Sequence, residues 1–290
     1  MTVILVTTVA SVTEMMIRRE VEPVHNFPKY LRLFLHSQQP NAIFGDSIVA
    51  NGFTGVSGFV NLGMGGDNYQ GMERKVRLYY QDRPVGKVIL QAGPHHLSAQ
   101  YIRYRDNGQE FENWVNNPGG SAIRLFDPIY RYEIKSYWST WLSGKELKPV
   151  EEFAADGGRL NGSRYVDYPA FLRDSAVGQI AKLTEPLPDP DHSPVIVAME
   201  RLVADLKHKG GEVCLVTHPP SKDVVRASAR HPLFAQAQSA FQALAQRQMV
   251  RYINFYGQDM DDVWFADPTH LNSLGAEMLG RQIVEKCFDN

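Results

Sequence analysis

The sequence predicts an α/β fold: a three-layer α/β/α sandwich around a mostly parallel five-stranded sheet. Five short apolar runs, rich in β-branched or aromatic residues, are bounded by glycine, proline or polar clusters. Such runs are typical of strands buried on both faces of a parallel sheet. Helical patterns separate the runs, and strands that alternate with helices form right-handed βαβ units. In this class of fold, ligands bind beyond the carboxyl ends of the strands.

The predicted strands and helices are spread along most of the chain. The strands cover residues 41–46, 58–63, 86–93, 211–218 and 251–257. The main helical patterns cover residues 68–82, 194–211, 231–249 and 272–288. In each, apolar residues recur at helical spacing, which predicts one buried face per helix. The last pattern opens with Asn272 and Ser273, both candidate N-caps.

Residues 97–192 contain no clear strand, so we expect a long insertion between the third and fourth strands, part helix and part loop. Its aromatic side chains are expected to pack as an ordinary amphipathic helix, with sugar stacking or a lid over the site as the alternative. These side chains are Trp114, Tyr130, Tyr132, Tyr137, Trp138 and Trp141. The predicted organisation is an N-terminal segment, residues 1–35, followed by one domain, residues 36–290.

The N-terminal segment is apolar over residues 3–12 and then carries Arg18 and Arg19. This stretch is shorter than the roughly 20 residues that span a bilayer. A signal peptide would carry positive charge before its apolar region, and here none precedes it. The segment is interpreted either as the remnant of a membrane anchor or as a first strand or helix of the fold.

The composition is that of a soluble globular protein, with 43% hydrophobic and 21% charged residues. A formal net charge of −2 with interspersed signs argues against nucleic acid as a partner. The two cysteines, Cys214 and Cys287, are 73 residues apart and show no metal-ligand spacing. We expect Cys214, in the apolar run "EVCLVTH", to be a buried free thiol, and no disulfide framework is predicted.

Two segments at predicted strand ends could supply a serine nucleophile and its base. Ser47 follows the first strand in "AIFGDSIVANGF", where it either helps to start a helix or presents its hydroxyl beyond the sheet. "ADPTHLN" places Asp267 and His270 three residues apart on one tight turn. An imidazole that accepts the serine proton, oriented by a carboxylate, makes serine a nucleophile. The alternative is that Asp267 caps the turn and His270 lies on the surface.

Two further segments could stabilise a developing oxyanion. The glycine-rich "NLGMGGDN" follows the second strand, where backbone N–H groups can approach a ligand closely. It could equally be a tight turn that needs positive φ. "GPHH" follows the third strand, and either His95 or His96 could donate an N–H into the same crevice.

Four segments resemble, in order and position, the four motif blocks of the SGNH (GDSL-type) hydrolases. They are "FGDS", "NLGMGGDN", "GPHH" and "DPTHLN". That family has a flavodoxin-like three-layer fold and cleaves or transfers acyl groups with a Ser–His–Asp triad, without metal or cofactor. The resemblance implies that Ser47, Asp267 and His270 are catalytic. It also implies that the backbone N–H groups of Ser47 and Gly66 belong to the oxyanion hole.

The third block departs from the family pattern. The family has Gly-x-Asn-Asp, and this chain has Gly93-Pro94-His95-His96. His95 therefore stands where the oxyanion asparagine is expected. An imidazole N–H can donate, but the ring is bulkier and its protonation depends on pH.

A looser likeness connects the long insertion and the N-terminal segment with SGNH-like proteins that act beside membrane-bound O-acyltransferases on polysaccharides. The predicted function is a serine-dependent esterase or O-acyltransferase that acts on an acetyl ester of a carbohydrate or cell-envelope polymer. The likeness implies a periplasmic or other extracytoplasmic location, with a cytoplasmic one as the alternative.

Three other functions compete with this prediction. The first is a catalytically inactive SGNH-like protein that binds polysaccharide or a partner in an O-acylation system. The second is a metal-dependent hydrolase, although no dense ligand motif is present. Its ligands would come from Asp46, His95, His96, His218 and His270. The third is a nucleotide-binding protein, which "GMGGDN" disfavours because it lacks the Lys-Ser/Thr of a P-loop.

Overall fold

The computed structural model describes most of the chain: residues 2–21, 26–102, 108–116, 125, 134–135, 138–139, 142–143, 152–182, 189, 192–229 and 231–289. The chain forms two compact units. The smaller comprises Met1–His36 and Asn113–Glu152, and the larger comprises Ser37–Glu112 and Phe153–Asn290.

The larger unit contains the sheet that the sequence predicts. In chain order the strands are β1 (Ala42–Phe44), β2 (Val60–Asn61), β3 (Lys87–Gln91), β4 (Glu152–Phe153), β5 (Arg159–Leu160), β6 (Glu212–Thr217) and β7 (Arg251–Asn254). Five of them form a sheet in the order β2-β1-β3-β6-β7, and each neighbouring pair is parallel. Each of these five strands lies within one of the five predicted runs. The α/β fold and its five-stranded sheet are therefore confirmed.

The described residues contain more helices than the four that the sequence patterns predict. The helices are α1 (Thr2–Met16), α2 (Asn26–His36), α3 (Ser47–Gly52), α4 (Tyr69–Tyr79), α5 (Ala99–Ile102), α6 (Gly108–Asn116), α7 (Ala170–Lys182), α8 (Pro194–His208), α9 (Lys222–Ser228), α10 (Pro232–Gln248) and α11 (Ser273–Phe288). The four predicted helical patterns correspond to α4, α8, α10 and α11. Asn272 caps α11, because its side chain accepts a hydrogen bond from the Gly275 N–H at 3.1 Å.

Helices cover both faces of the sheet, and successive strand residues point to opposite sides. On one face, Ile43 and Ile89 belong to the core that α3 and α11 close. On the other, Phe44 contacts the rings of Tyr79 and Tyr80 near the end of α4, each with a centroid separation of 5.9 Å. α8 lies beside α4, and α10 lies beside α8. β1 and β3 are neighbouring parallel strands in the middle of the sheet, so their carboxyl ends lie side by side at the centre of one edge.

A disulfide joins Cys214 on β6 to Cys287 on the last turn of α11. The expectation of a buried free thiol at Cys214 was therefore wrong. The pairing arises because α11 packs on the face of the sheet to which Cys214 points, which brings the two Cα atoms to 5.7 Å. Sequence spacing gives no sign of this contact.

The insertion differs from its prediction in one respect. It contains β4 and β5, which pair as a two-stranded sheet, although we predicted no strand there. Each strand is only two residues long, too short to produce an alternating pattern. Of the six aromatic residues singled out in the insertion, Trp114 and Trp138 are among the described residues. The other four, Tyr130, Tyr132, Tyr137 and Trp141, lie outside them.

In the smaller unit, the apolar N-terminal stretch is the helix α1, which continues as a π-helical turn at Ile17–Val21. Met16 and Ile17 are buried, with Leu125 and Ile134 packed against them. Glu14 on α1 accepts a hydrogen bond from the Leu125 N–H at 2.8 Å. Among the described residues, no helix has the length and apolar character needed to cross a membrane.

Candidate active site

The candidate site lies beyond the ends of β1 and β3, where the strand order reverses and α/β sheets place their ligand crevices. At Gly45, just after β1, a Cβ would lie 2.3 Å from Gln91 Oε1 and 2.4 Å from Val49 Cγ2, so a larger residue would force these side chains to shift. Asp46 then caps α3 by accepting from the Ile48 N–H at 2.8 Å. Ser47 is the first residue of the helix, and the turn carries its side chain to the crevice.

Ser47, His270 and Asp267 form a continuous hydrogen-bonded line. Ser47 Oγ is 2.8 Å from His270 Nε2, across 223 residues of sequence. His270 Nδ1 is 2.7 Å from Asp267 Oδ2. With the Nδ1–H donating to the carboxylate, Nε2 keeps its lone pair for the serine proton. The three side chains that the sequence singled out therefore lie together, with Asp267 orienting His270 and His270 facing the Ser47 hydroxyl.

The Asp267–His270 pair shifts the pKa of both groups. Burial alone would raise the pKa of Asp267, but the hydrogen bond and charge of His270, with two backbone N–H donors, lower it. Burial alone would lower the pKa of His270, but the hydrogen bond and negative charge of Asp267 outweigh it and raise the pKa. A raised pKa makes His270 a stronger base, which suits proton abstraction from a hydroxyl.

A tight turn fixes the direction of His270. Asp267 Oδ1 accepts from the backbone N–H groups of Thr269 at 2.9 Å and His270 at 3.0 Å. The N–H of Ala266 donates to the carbonyl of His270 at 2.8 Å, which closes the turn. α11 follows directly after Asn272 caps it. Asp267 can therefore cap the turn and orient His270 at once. Its Oδ1 accepts the backbone N–H groups, and its Oδ2 contacts the imidazole.

The glycine-rich turn after β2 lies against the helix that carries Ser47. At Gly63 a Cβ would lie 2.5 Å from the Ala50 backbone nitrogen, and at Gly65 it would lie 3.7 Å from Ser47 Cβ. Gly66 has φ of +80°, in the region that favours glycine. The predicted need for positive φ is thus met at Gly66, and the turn lies near the nucleophile.

A buried ion pair holds this turn in place. Lys75 on α4 contacts the carboxylate of Asp67, and both side chains are 1% exposed. Burial lowers the pKa of Lys75, and the charge and hydrogen bond of Asp67 oppose that shift. This pair was not predicted from the sequence. Its only sequence signal is a lysine beside Val76 and one turn from Met72 on the apolar face of α4.

His95, expected to donate to the oxyanion, is engaged by a carboxylate. Its Nε2 lies 2.6 Å from Asp46 Oδ2. If this Nε2–H donates to Asp46, only Nδ1 remains for a ligand, and Nδ1 can donate only when the ring carries both protons. The oxyanion role of His95 therefore stays a prediction, with that added requirement.

Asp46 is the centre of a polar network that our sequence analysis did not foresee. Gln91 Nε2 donates to its Oδ1 at 3.0 Å, and Tyr101 donates to its Oδ2 at 3.2 Å. Burial alone would raise the pKa of Asp46, but the charge and hydrogen bond of His95, with smaller contributions from His96, hold it well below its ordinary value. For His96, burial and the charge of His95 lower the pKa despite Asp46. Asp46 is thus a carboxylate and His96 a neutral imidazole near pH 7.

A cavity of about 210 Å³ opens beside Ser47 and His270. Much of its wall is apolar and comes from the loops after β3 and β6 and from α9 and α10. The apolar lining residues are Ile48, Pro94, Pro219, Pro220, Val224 and Phe234. His218 also lines it, and burial lowers the pKa of His218 to about 4, so this ring is uncharged at neutral pH. The crevice can bury a small apolar group next to the serine hydroxyl.

The five side chains considered as metal ligands divide into separate groups. Asp46, His95 and His96 lie together, with one ligand atom of each within 4.8 Å of the others. His270 instead contacts Ser47 and Asp267. Neither ring nitrogen of His218 has a hydrogen-bond partner among the described residues. The five do not form the single metal centre of a metal-dependent hydrolase.

No protein-family model matches the chain, and no curated protein matches its sequence. The structure is similar to that of a protein described as an acylhydrolase from Bacteroides fragilis, with a TM-score of 0.45, 13% identity and coverage of 90% of this chain and 96% of the other. It is similar to a lipase/acylhydrolase from Enterococcus faecalis, with a TM-score of 0.41, 13% identity and coverage of 85% and 94%. It is also similar to a protein from Streptococcus pneumonia described as a platelet activating factor, with a TM-score of 0.44, 13% identity and coverage of 97% and 99%.

The resemblance to SGNH hydrolases rests on the sequence motifs, and the polysaccharide O-acetylation branch stays a prediction. All three TM-scores are below 0.5. The activity is therefore inferred from the geometry of the site.

Proposed function

We propose that this protein is a serine-dependent ester hydrolase of the SGNH type, with Ser47 as nucleophile, His270 as general base and Asp267 as the group that orients His270. The observation that carries this proposal is the line of contacts from Ser47 Oγ to His270 Nε2 at 2.8 Å and from His270 Nδ1 to Asp267 Oδ2 at 2.7 Å. A serine, an imidazole and a carboxylate in this order are the machinery of acyl transfer.

In the first step, His270 Nε2 takes the Ser47 proton while Oγ forms a bond to the ester carbonyl carbon. His270 then returns that proton to the alkoxide leaving group as the ester C–O bond breaks, which leaves an acyl-serine. Water then gives a proton to His270 as it attacks the acyl carbon. His270 returns that proton to Ser47 Oγ as the acyl–Oγ bond breaks, which releases the carboxylic acid and restores the free serine. Asp267 stabilises the imidazolium that forms in each step.

The oxyanion is proposed to be stabilised by the backbone N–H groups of Ser47 and Gly66. The position of the glycine turn supports this role, because Gly65 lies close to Ser47 and Gly66 adopts positive φ. His95 would add a third donor from Nδ1 when doubly protonated.

A fluorophosphonate probe tests the nucleophile directly. We expect one adduct on Ser47 in the wild-type protein, found by intact mass and peptide mapping, and none in Ser47→Ala. Ser221→Ala is the matched control: Ser221 is buried, its N–H donates to Pro268 in the His270 turn, and its Oγ has no hydrogen-bond partner among the described residues. That variant should label normally. Absence of an adduct on wild-type Ser47 would refute the enzyme and favour the non-catalytic binding protein.

We further propose that the substrate is an acetyl ester of a carbohydrate or cell-envelope polymer, and that the protein acts outside the cytoplasm beside a membrane-bound acyltransferase. A sugar hydroxyl can replace water in the second step, because His270 deprotonates either one. The Cys214–Cys287 disulfide supports an oxidising compartment, since such bridges are rare in the cytosol. Incubating acetyl donor, polysaccharide and protein would separate transfer, read as acetylated polysaccharide, from hydrolysis, read as free acetate.

A further inference from the structure

Three metal-ligating side chains converge next to the nucleophile. Asp46 Oδ2 is 2.6 Å from His95 Nε2 and 3.4 Å from His96 Nε2. The three ligand atoms all lie within 4.8 Å of one another. Two imidazoles and one carboxylate are a common protein donor set for a zinc ion that keeps one position open.

The spacing of these atoms suits an ion of that size. Zinc binds nitrogen and oxygen ligands at about 2.0–2.2 Å, which places tetrahedral ligand atoms about 3.3–3.5 Å apart. The His96–Asp46 separation of 3.4 Å already has this value. At 2.6 Å, His95 is closer to Asp46, so binding requires its ring to retreat by about 0.7 Å. The His95 side chain is partly exposed and its backbone belongs to a single 3₁₀ turn, so the ring has room to move by this distance.

His96 gives an independent reason to expect a ligand. Its side chain is 1% exposed, Nδ1 has no hydrogen-bond partner among the described residues, and Nε2 makes only a long contact of 3.4 Å with Asp46 Oδ2. Leaving a buried polar group without such a partner is destabilising. A metal bond to Nε2 would satisfy the nitrogen that faces Asp46.

The surrounding contacts direct Asp46 toward the histidines. Its Oδ1 accepts from the Ile48 N–H at 2.8 Å and from Gln91 Nε2 at 3.0 Å. Its Oδ2 is therefore the oxygen that faces His95 and His96, with the Tyr101 hydroxyl 3.2 Å away. Outer contacts of this kind fix the direction of metal ligands in established sites.

We propose that Asp46, His95 and His96 form a binding site for one divalent transition-metal ion, with zinc as the best fit to the donor set. The open coordination position faces the crevice, because Asp46 and His95 both line the cavity beside Ser47. Ser47, Asp267 and His270 are not ligands, so this site and the proposed acyl chemistry can be tested separately.

The experiment is metal titration of the full chain after treatment with a chelator. We expect one Zn²⁺ per chain by calorimetry and elemental analysis. Co²⁺ should produce visible absorption of a low-symmetry site, and Mg²⁺, which prefers oxygen ligands, should not bind. His96→Leu should weaken Zn²⁺ binding by at least about 100-fold. His218→Leu is the matched control, because His218 is also buried with unbonded ring nitrogens yet lies outside the cluster.

His95→Ala is a second variant in case His96→Leu fails to fold, because His95 is more exposed; it should also lose the ion. Absence of saturable Zn²⁺ binding would overturn the proposal, as would equal affinity in His96→Leu and His218→Leu. Ser47→Ala should still bind Zn²⁺ while losing the fluorophosphonate adduct. A protein that takes the adduct but no metal refutes this site alone, and the reverse result refutes only the esterase.

Discussion

Breaking the Cys214–Cys287 disulfide should lower the free energy of unfolding by about 4 kcal/mol. The bridge joins residues 73 apart, and the chain-entropy relation gives about 4.4 kcal/mol at 25 °C for a loop of that length. Reduction removes no sulfur atom, and the two thiols need only separate to van der Waals contact, so the packing of the folded state changes little. Most of the effect therefore comes from greater freedom of the unfolded chain.

The assay is equilibrium urea unfolding followed by circular dichroism, with and without dithiothreitol. With an m value of about 3 kcal/mol per molar urea, reduction should lower the midpoint by about 1.3 M. The double variant Cys214→Ala/Cys287→Ala should be less stable than the reduced protein, because both sulfurs are buried and their contacts are also lost. Dithiothreitol should leave the curve of this variant unchanged.

A difference below about 1 kcal/mol between the oxidised and reduced proteins would refute the entropy argument. It would mean that the unfolded chain already holds β6 near α11, or that the bridge strains the folded state. The result also bears on the site, since α11 begins just after the turn that carries His270.

Three other predictions concern the site and its supports. Asp267→Asn should lower kcat/KM on an activated ester by about 10³–10⁴-fold, because an amide favours the wrong His270 tautomer; equal rates would contradict the proposed role. Activity should fall as the pH decreases, because only the neutral ring of His270 accepts a proton. Since the pKa of His270 is raised, the midpoint of this fall in a kcat/KM profile should lie above pH about 6.5. Lys75→Met should lower the free energy of unfolding in urea by about 3–5 kcal/mol, because Asp67 would stay buried without this cation. Replacing the half-exposed Arg77 by Met should lower it by less than about 1 kcal/mol.

The fold was largely predictable because its signals are local. Each strand of the five-stranded sheet is a short apolar run, and each long helix of the sandwich shows its stripe in neighbouring residues. The candidate triad was predicted in two stages. Local patterns placed Ser47 after β1 and put Asp267 and His270 on one turn, but they left capping roles open, and the resemblance to the four SGNH motif blocks decided between the two. Their meeting across 223 residues followed from the rule that parallel strands end at one edge.

The sequence by itself therefore determined the order of strands and helices, the strand ends and the residues of a serine, histidine and aspartate line. Tertiary structure alone decided the Cys214–Cys287 bridge, the burial of Lys75 against Asp67 and the engagement of His95 by Asp46. The physical reason is that periodicity reports which face of an element is buried. Which side chains of two elements come into contact depends on the register and packing of those elements. The local hydrophobic pattern predicts neither.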